Sequence, residues 1–537
     1  MSIRRKPINS ALRYGAIVAC VMGIGVASQD AMAEDLVIAV GTLGSFEWAP
    51  SRNGEDNNLI AAHWSDPFIG LDPKTGQLSP GIAESWELSD DGKTWTFKLR
   101  AGVPFHDGWG TVTAEDVKYS WGEWMSEGSN HEPAQQMAQA VDGSLDNFEI
   151  VSELEFKLHT TKPVLHLPAL LCSCDTGLQV VPKKYHDEKG ADAENTQPIA
   201  TGPWKYVSGT PGVEVILEAV KDHWRKPPAF DRLIFKEIPD DAARLVQLQS
   251  GTIDLAAIDS SLVAEAKAAG LNIIPLPYFA NTFVILGGSY WGDDALDRDS
   301  PWIQADNPEK GLAIREALSL AIDRKLILGR ILGGYGEVNY APVFQYSNNP
   351  ELTDPSWKLP EYNPELAKQK LAEGGYPDGF PITLFMYPDD IDLPGVGEAI
   401  AGMWEEIGIK VTRQPGDEGI LDEKLDAKAT DGLAWVKIAK YRPEPASTIA
   451  VYRRDTPRDY KFFHPSIDEN YPRIAAEMDE KKRYEIAREI LTSLKDDVGA
   501  ITLFTADRPI IVGPKIGEWH PTPGDPELNS LETATPK

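Results

Sequence analysis

A β-hairpin followed directly by a helix is predicted for Gly81–Trp124, the stretch that constrains the fold most. Apolar and polar residues alternate in Trp86–Leu88 and again in Trp95–Leu99, as in strands with one buried face. Between them, Ser89–Gly92 contains residues that favour a turn, and its glycine can adopt a positive φ. Thr113 can cap a helix whose first turn carries two carboxylates. The stretch therefore predicts a unit with a hydrophobic core, with its tryptophans inside.

The length of the chain and its alternating elements predict an α/β protein with more than one core. The chain has 537 residues, which is enough for two or three hydrophobic cores. Helices are predicted at Leu59–Phe68 and Arg324–Leu332, and strands at Ile409–Val411 and Ala500–Phe504. Alternating strands and helices of this kind are typical of α/β domains.

The N-terminus has the three parts of a secretory signal. Basic residues precede the short apolar run Tyr14–Ala27, and Ala31–Ala33 supplies small residues around a cleavage site before Glu34. The apolar run is too short to span a bilayer. Residues 1–33 are therefore predicted to be a signal peptide, and the mature protein is expected to be soluble and periplasmic.

Cys20 allows a second interpretation of this region. Ile17–Cys20 resembles the processing site of a lipoprotein, with Cys20 as the acylated residue. That processing would leave only Tyr14–Ala19 as the apolar segment and would put the apolar Val21–Ala27 in the tether. Soluble release after Ala33 is the favoured prediction, and the lipoprotein is the alternative.

The charge balance excludes two classes of partner. The chain has 52 basic and 82 acidic residues and a net charge of −30, and cleavage after Ala33 would make it more negative. Such a surface repels nucleic acid and anionic membranes. We expect no nucleic-acid partner, and a cluster of basic residues inside this chain is correspondingly informative.

Cys172 and Cys174 are the cysteines of the predicted mature chain. An exported protein can form disulfides, although a C-x-C ring is tight. Two small apolar fillers near a strand end are the other interpretation. Both remain open. No metal site is predicted, because no further cysteine or histidine stands at ligand spacing.

The segment after Gly81 carries a resemblance to a known family. It reads AESWE…DG-x-TWTF-x-LR-x-GV-x-FHDG…TAEDV-x-YSW. Later stretches fit the same pattern, TGPW at Thr201–Trp204 and IREALSLAIDR at Ile314–Arg324. These motifs resemble the family 5 extracellular solute-binding proteins, the periplasmic receptors of ABC importers for peptides, nickel, opines and some oligosaccharides.

The resemblance implies an α/β fold of the type II periplasmic binding proteins, with two lobes around a cleft and a small extra domain. It assigns residues 34–70, 191–280 and 497–537 to the first lobe, 71–190 to the small outer domain and 281–496 to the second lobe. Asn272–Leu286 is then the crossing between the lobes. The implied function is that of a monomer that closes on its ligand and delivers it to an inner-membrane ABC permease.

By the same resemblance, two segments of the first half line the cleft. Phe46, Glu47 and Trp48 lie in the loop after the first strand and are expected on one wall. Tyr278 and Asn281 lie in the crossing and are expected at the hinge. Aromatic side chains would provide apolar walls, and the polar ones would fix the orientation of the ligand.

The second lobe contributes Leu433–Arg454. Peptide-binding members of the family have a Trp here, then an Asp that pairs with the amino terminus of the peptide, then a Pro. Trp435 and Pro445 are present, but the residues between them include no Asp and instead offer Lys437, Lys440, Tyr441 and Arg442. In an acidic chain these cations favour an anionic or carboxylate-bearing ligand, either opine-like or a modified amino acid or peptide.

Two other functions stay open. The same fold could serve as an oligopeptide or dipeptide receptor through backbone contacts. An exported hydrolase is the less favoured alternative, because the chain has no G-x-S-x-G, H-E-x-x-H or P-loop signature. We expect no catalytic residues, no cofactor and no metal, including nickel, because the cleft candidates offer no histidine cluster.

Overall fold

The computed structural model describes the chain from Glu34 to Lys537, apart from several short segments. Those outside the described residues are 54, 130, 132–133, 175–176, 341–349, 387–391, 417, 441, 451, 455–461, 526–527 and 529. The predicted signal peptide, with Cys20, also lies outside the described residues.

Helices and short strands alternate along the described residues. The helices are α1 Glu55–Ala61, α2 Ala114–Trp124, α3 Ala134–Ala140, α4 Leu167–Leu170, α5 Lys183–Lys189, α6 Ala191–Thr196, α7 Asp241–Ser250, α8 Val263–Ala268, α9 Pro308–Leu320, α10 Arg324–Arg330, α11 Pro364–Glu373, α12 Leu393–Glu406, α13 Glu418–Asp426, α14 Pro445–Ala450, α15 Pro465–Ala476 and α16 Glu480–Asp496. Among the described residues, no helix is both long enough and apolar enough to cross a bilayer.

The strands complete the set. They are β1 Asp35–Val40, β2 Ile69–Leu71, β3 Leu78–Pro80, β4 Ala83–Leu88, β5 Thr94–Leu99, β6 Phe148–Ser152, β7 Glu155–His159, β8 Trp204–Thr210, β9 Glu214–Ala219, β10 Arg232–Glu237, β11 Leu255–Ala257, β12 Asn272–Leu286, β13 Gly336–Val338, β14 Pro381–Met386, β15 Lys410–Pro415, β16 Leu433–Lys440 and β17 Ile501–Val512.

Most of these strands belong to one sheet, which in the described residues has 11 strands. Its order is β15–β14–β16–β12–β17–β11–β1–β10–β9–β8, and β13 also pairs with β17. β1 is parallel to β10 and β11, and β14 is parallel to β15 and β16. Parallel strands separated by helices confirm the α/β character predicted from the sequence.

Two long strands in the middle of this sheet carry the chain between its two halves. β12 and β17 pair antiparallel from Asn272–Val512 at one end to Val284–Ile501 at the other. On one side of them lie β1 and β8–β11, which with their helices we call the first lobe. On the other side lie β14–β16, which with their helices we call the second lobe. The segment predicted as the crossing, Asn272–Leu286, has the same bounds as β12, and the assignment of the domains stays a prediction.

The stretch from Gly81 to Trp124 lies in a separate part of the fold. β4, β5, β7 and β6 form their own four-stranded sheet, and α2–α5 pack on it. We call this sheet and these helices the outer unit. Gly92 adopts a φ of +70°, and Trp121 and Trp124 are fully buried. The predicted hairpin, turn, helix and core tryptophans are therefore confirmed.

The helix predicted at Leu59–Phe68 is wrong in its bounds. The helix is α1, which ends at Ala61, and the chain then turns. Pro67 disfavours a helical conformation at Asp66. The Asp66 carboxylate is also drawn into a buried network, accepting from Trp224 Nε1 at 2.6 Å and lying 3.1 Å from His223 Nε2. Long-range hydrogen bonds therefore override the local helical pattern.

The strand predicted at Ala500–Phe504 is only the first part of β17. The strand starts at Ile501 and continues to Val512, where it pairs with β11 of the first lobe. The sequence breaks its apolar pattern at Asp507–Arg508, which is the point where the strand passes between the lobes. The local pattern therefore predicted only the first third of a strand that serves both lobes.

Asp116 supports a prediction about the outer unit. Its Oδ2 accepts from Thr113 N at 2.9 Å, which completes a capping box, and its Oδ1 accepts from Lys183 N at 2.9 Å. Asp116→Ala removes both acceptors, and we expect a loss of about 2–4 kcal/mol in the free energy of unfolding. Thermal unfolding followed by circular dichroism measures this loss. Glu115→Ala, at an exposed carboxylate of the same turn, is the control, and an equal loss there would contradict the assignment.

Candidate ligand-binding site

The carboxyl ends of the parallel strands define where the two lobes face each other. In open α/β sheets, ligands bind beyond these ends. Ser260 of the first lobe follows β11, and Asp392 of the second lobe directly precedes α12, the helix after β14. Ser260 N donates to Asp392 Oδ1 at 2.9 Å. The lobes therefore contact each other here, and we call the region between them the cleft and take it as the candidate site.

β12 and β17 lose regular pairing in the segment where the hinge is predicted. Their register shifts between Leu276 and Ala280, and again between Thr282 and Phe283. Such irregularities interrupt the ladder of hydrogen bonds and allow a strand to bend. Tyr278 lies inside the first shift, but only its backbone is described, so its contact with a ligand stays a prediction.

Asn281 belongs to a buried polar network beside the hinge. Asn339 Nδ2 donates to Asn281 Oδ1, and Thr505 Oγ1 donates to Asn339 Oδ1 at 2.7 Å. All three side chains are almost completely buried. Within the described part of the chain, Asn281 Nδ2 has no hydrogen-bond partner. Buried donors are usually paired, so this amide is a candidate to bind a ligand oxygen.

Phe46, Glu47 and Trp48 lie in the loop after β1 but differ in their surroundings. Trp48 is 4% exposed and packs edge-on against Trp64 in the core of the first lobe, with ring centroids 5.0 Å apart. Phe46 is half-buried against Trp48, and Glu47 is half-buried with its carboxylate 3.8 Å from Arg52. Trp48 therefore anchors the loop, whereas Phe46 and Glu47 reach its surface.

Trp435 and Lys437 share one face of β16, and both pair with β12. Trp435 is fully buried in the core of the second lobe, and its Nε1 finds no hydrogen-bond partner among the residues described. Lys437 is half-buried. The side chain of Lys440 is not described, and Tyr441 lies outside the described residues. The segment thus leads towards the cleft, but its tryptophan is chiefly a core residue.

The outer unit meets the second lobe at His166, just before α4. His166 is 8% exposed, and its Nδ1 has no hydrogen-bond partner in the described ranges. Burial and the positive charges of Arg453 and Arg442 lower the pKa of His166 to about 4. A Cβ at Gly92 would lie 3.4 Å from Met478 Sδ, a second contact between the same two parts. Both guanidinium groups of the second lobe therefore lie near enough to His166 for their charges to act on its pKa.

Sequence reasoning found Arg442 but missed Arg453 and His166. The two arginines flank α14, and His166 lies far from both in sequence. Only the packing of the outer unit on the second lobe brings them together. In the sequence, only the basic residues in and after β16 indicated a contribution of this segment to a binding site.

Glu444, immediately before Pro445, was also missed. It is the acidic residue nearest to the position where peptide-binding members carry Asp. Its Oε1 accepts from Ala446 N at 3.1 Å, and its Oε2 lies 3.6 Å from Arg483. Burial raises its pKa. The carboxylate is thus engaged by α14 and Arg483.

The structure joins Cys172 and Cys174 by a disulfide, with their Cα atoms 5.2 Å apart. Both residues are fully buried in the core of the outer unit. The backbone of Cys172 also forms an isolated β-bridge with Ile69 of β2. The disulfide therefore closes a short loop next to β2 and takes no part in the contacts between the lobes described above.

His464 lies between a serine and an aspartate, as in a hydrolase, but it serves as a helix cap. Its Nδ1 is 2.7 Å from Ser466 Oγ and accepts from Ser466 N at 3.4 Å, and its Nε2 is 3.3 Å from Asp497. Ser466 is buried at the start of α15. The described residues contain no group of three or more metal-ligating side chains.

Comparisons with known proteins identify the family. A model described as "Bacterial extracellular solute-binding proteins, family 5 Middle" matches residues 77–457. Heme-binding protein A of Haemophilus influenzae is 26% identical over 362 residues, which are 62% of this chain and 61% of that protein. Oligopeptide-binding protein AppA of Bacillus subtilis is 29% identical over 372 residues, which are 66% of this chain and 64% of that protein. The chain thus spans less than two thirds of the length of these two relatives.

A solved structure shares the fold over nearly the whole chain. It is that of the ABC transporter substrate binding protein CtaP from Listeria monocytogenes, with a TM-score of 0.78 at 22% identity. The match covers 94% of this chain and 99% of that chain. The fold of the type II periplasmic binding proteins, predicted from the sequence, is confirmed.

Thr505→Val tests the network beside the hinge. The substitution keeps the shape of the side chain but removes the hydroxyl that donates to Asn339. We expect a loss of about 1–3 kcal/mol in the free energy of unfolding, because the Asn339 oxygen is left buried and unpaired. Urea denaturation measures the loss. Thr412→Val, on the exposed edge strand β15, is the matched control, and an equal effect at both sites would contradict the network.

Proposed function

Since the chain belongs to the bacterial extracellular solute-binding proteins, family 5, we propose that it is the substrate-binding component of an ABC importer. In this role it captures a small solute in the cleft and delivers it to an inner-membrane permease. The description of CtaP as an ABC transporter substrate-binding protein supports the proposal. The predicted signal peptide and the extracellular character of the family support a periplasmic location. We infer a monomer without catalytic residues or cofactor.

Capture follows from the hinge between the lobes. β12 and β17 both run through the junction, and their irregular register permits bending. A ligand that contacts both lobes binds the closed state more tightly and shifts the protein towards it. The function therefore depends on differential affinity for two arrangements of the lobes.

The observation that carries the ligand class is the approach of Arg442 and Arg453 to His166. A carboxylate matches the planar fork of arginine, so a ligand carboxylate would be recognised by either guanidinium. A neutral His166 would donate a hydrogen bond from one ring nitrogen and accept one at the other. In a chain with a net charge of −30, this concentration of positive charge at the interface favours a carboxylate-bearing solute. We infer an opine-like compound or a modified amino acid or peptide.

Other side chains would complete the site. Asn281 Nδ2 and Trp435 Nε1, which have no hydrogen-bond partner among the described residues, would donate to ligand oxygens if closure leaves them within reach. Phe46 and Glu47 would contribute the wall on the first lobe. Lys437 would act as a point charge, and Tyr278, Lys440 and Tyr441 keep the roles predicted from the sequence.

A peptide receptor is the second candidate. The relative described as oligopeptide-binding protein AppA favours it. Against it, Glu444 is already engaged by Arg483 and by the start of α14, so it is a poor partner for the amino terminus of a peptide. Peptides would then be held through their backbones and their carboxylates.

A panel of ligands distinguishes the two candidates by thermal shift. The panel contains opine-type N-carboxyalkyl amino acids, di- and tripeptides, and the same compounds with amidated carboxyl groups. A ligand at about 100 times its Kd stabilises the folded protein by about 2.7 kcal/mol. We expect stabilisation by free carboxylates and none by their amides. Stabilisation by peptides whether or not they are amidated, with none by the opine-type compounds, would contradict the proposed ligand class.

Arg442→Gln tests the residue that carries the ligand class. Loss of a charge-assisted hydrogen bond to a carboxylate is expected to weaken binding about ten- to hundredfold in calorimetry. Arg413→Gln is the matched control, because Arg413 pairs with Glu398 and Glu405 on α12. Equal affinities for Arg442→Gln and the unmodified protein would remove Arg442 from the site.

A further inference from the structure

Ser260 of the first lobe forms hydrogen bonds to the Asp392 carboxylate of the second lobe, and we call this contact the clasp. Ser260 N donates to Asp392 Oδ1 at 2.9 Å, and Ser260 Oγ donates to Asp392 Oδ2 at 2.7 Å. Ser260 is 5% exposed. One residue of the first lobe thus engages both oxygens of one carboxylate of the second lobe. None of the motifs found in the sequence includes either residue.

The turns that contain Ser260 and Asp392 orient these two residues towards each other. Ser260 opens a short 3₁₀ turn after β11, and Asp259 caps that turn by accepting from Ser261 N at 2.8 Å. Asp392 directly precedes α12 with a φ of +69°, a left-handed conformation that Asp tolerates better than most residues. The clasp therefore joins two turns at the carboxyl ends of parallel strands, where opening of the cleft would separate them.

We propose that Ser260 and Asp392 are positioning residues that hold the two lobes in the closed arrangement and thereby set the ratio of closed to open protein. The proposal concerns closure itself and holds whichever ligand class is correct. The proposal requires that the two turns, which lie on different lobes, separate when the cleft opens.

The charge on Asp392 gives this role a distinctive readout. The pKa of Asp392 is raised to about 6, mainly by burial and to a smaller extent by the nearby Asp259 carboxylate, although the hydrogen bonds from Ser260 and the positive charge of Arg508 oppose the rise. In the open arrangement Asp392 would be solvated, with a pKa of about 4. The closed state then binds the proton more tightly, so closure is favoured as pH falls from 7 towards 4.

Asparagine at this position mimics the protonated carboxyl. The amide oxygen can accept from Ser260 N, and the amide nitrogen can donate to Ser260 Oγ. Asp392→Asn is therefore expected to keep the clasp and lose its dependence on pH. Asp392→Ala removes both hydrogen bonds, and Ser260→Ala removes one of them.

Single-molecule energy transfer on the mature protein without added ligand tests the proposal. Dyes are placed through Val213→Cys on the first lobe and Ile420→Cys on the second lobe, at positions 54% and 43% exposed. The ratio of closed to open molecules is measured at pH 7 and pH 5. In the dye-labelled protein with Ser260 and Asp392 unchanged, we expect the ratio of closed to open molecules to be about tenfold higher at pH 5 than at pH 7.

The variants separate a positioning role from a merely structural one. In Asp392→Asn the ratio should be as high at pH 7 as at pH 5, and in Asp392→Ala it should be low at both. Ser260→Ala should lower it by roughly two- to tenfold. Asp323→Asn, at the cap of α10 on the same lobe, is the control and should keep the normal response to pH. A response to pH that persists in Asp392→Asn, or a closed population that is absent or constant at both values, would overturn the proposal.

Discussion

The pairing of β12 with β17 is the constraint on which the rest of the structure depends. These two strands belong to both halves of the 11-stranded sheet, so neither lobe can be completed without them. Regular pairing at each end keeps the lobes intact, and the shifted register between Leu276 and Ala280 concentrates flexibility in the middle. A protein that closes around a ligand by a hinge motion needs two rigid lobes joined by a segment that can bend. The regular ends of this strand pair belong to the lobes, and its irregular middle is the segment proposed to bend.

Two arginines lie at the interface between the outer unit and the second lobe, although the chain as a whole is strongly acidic. The general surface is negative, yet the interface between the outer unit and the second lobe brings Arg442 and Arg453 towards a neutral histidine. A few residues away, Glu444 is held by Arg483. Arg442 and Arg453 are the basis of the proposed preference for an anionic solute, in a protein whose net charge is −30.

The sequence predicted what depends on neighbouring residues and missed what depends on distant ones. The hairpin at Trp86–Leu99 and the cap at Thr113 follow from patterns a few residues long, and the structure confirms them. The misplaced helix before Asp66 failed because a buried network across the fold decides that conformation. His166 could not be predicted as part of the site, since nothing near it in sequence marks the interface. The same limit applies to Trp435, whose burial depends on helices that follow it in the chain.

A crystal structure of the ligand-free protein at pH 7 is the most direct measurement. At this pH we expect the two lobes to be rotated apart as rigid bodies, with backbone changes confined to the shifted register of β12 and the facing part of β17. Ser260 and Asp392 would be separated, and His166 would have moved away from Arg442 and Arg453. Lobes that stay in contact at Ser260 and Asp392, or a bend located within either lobe, would contradict the proposed hinge.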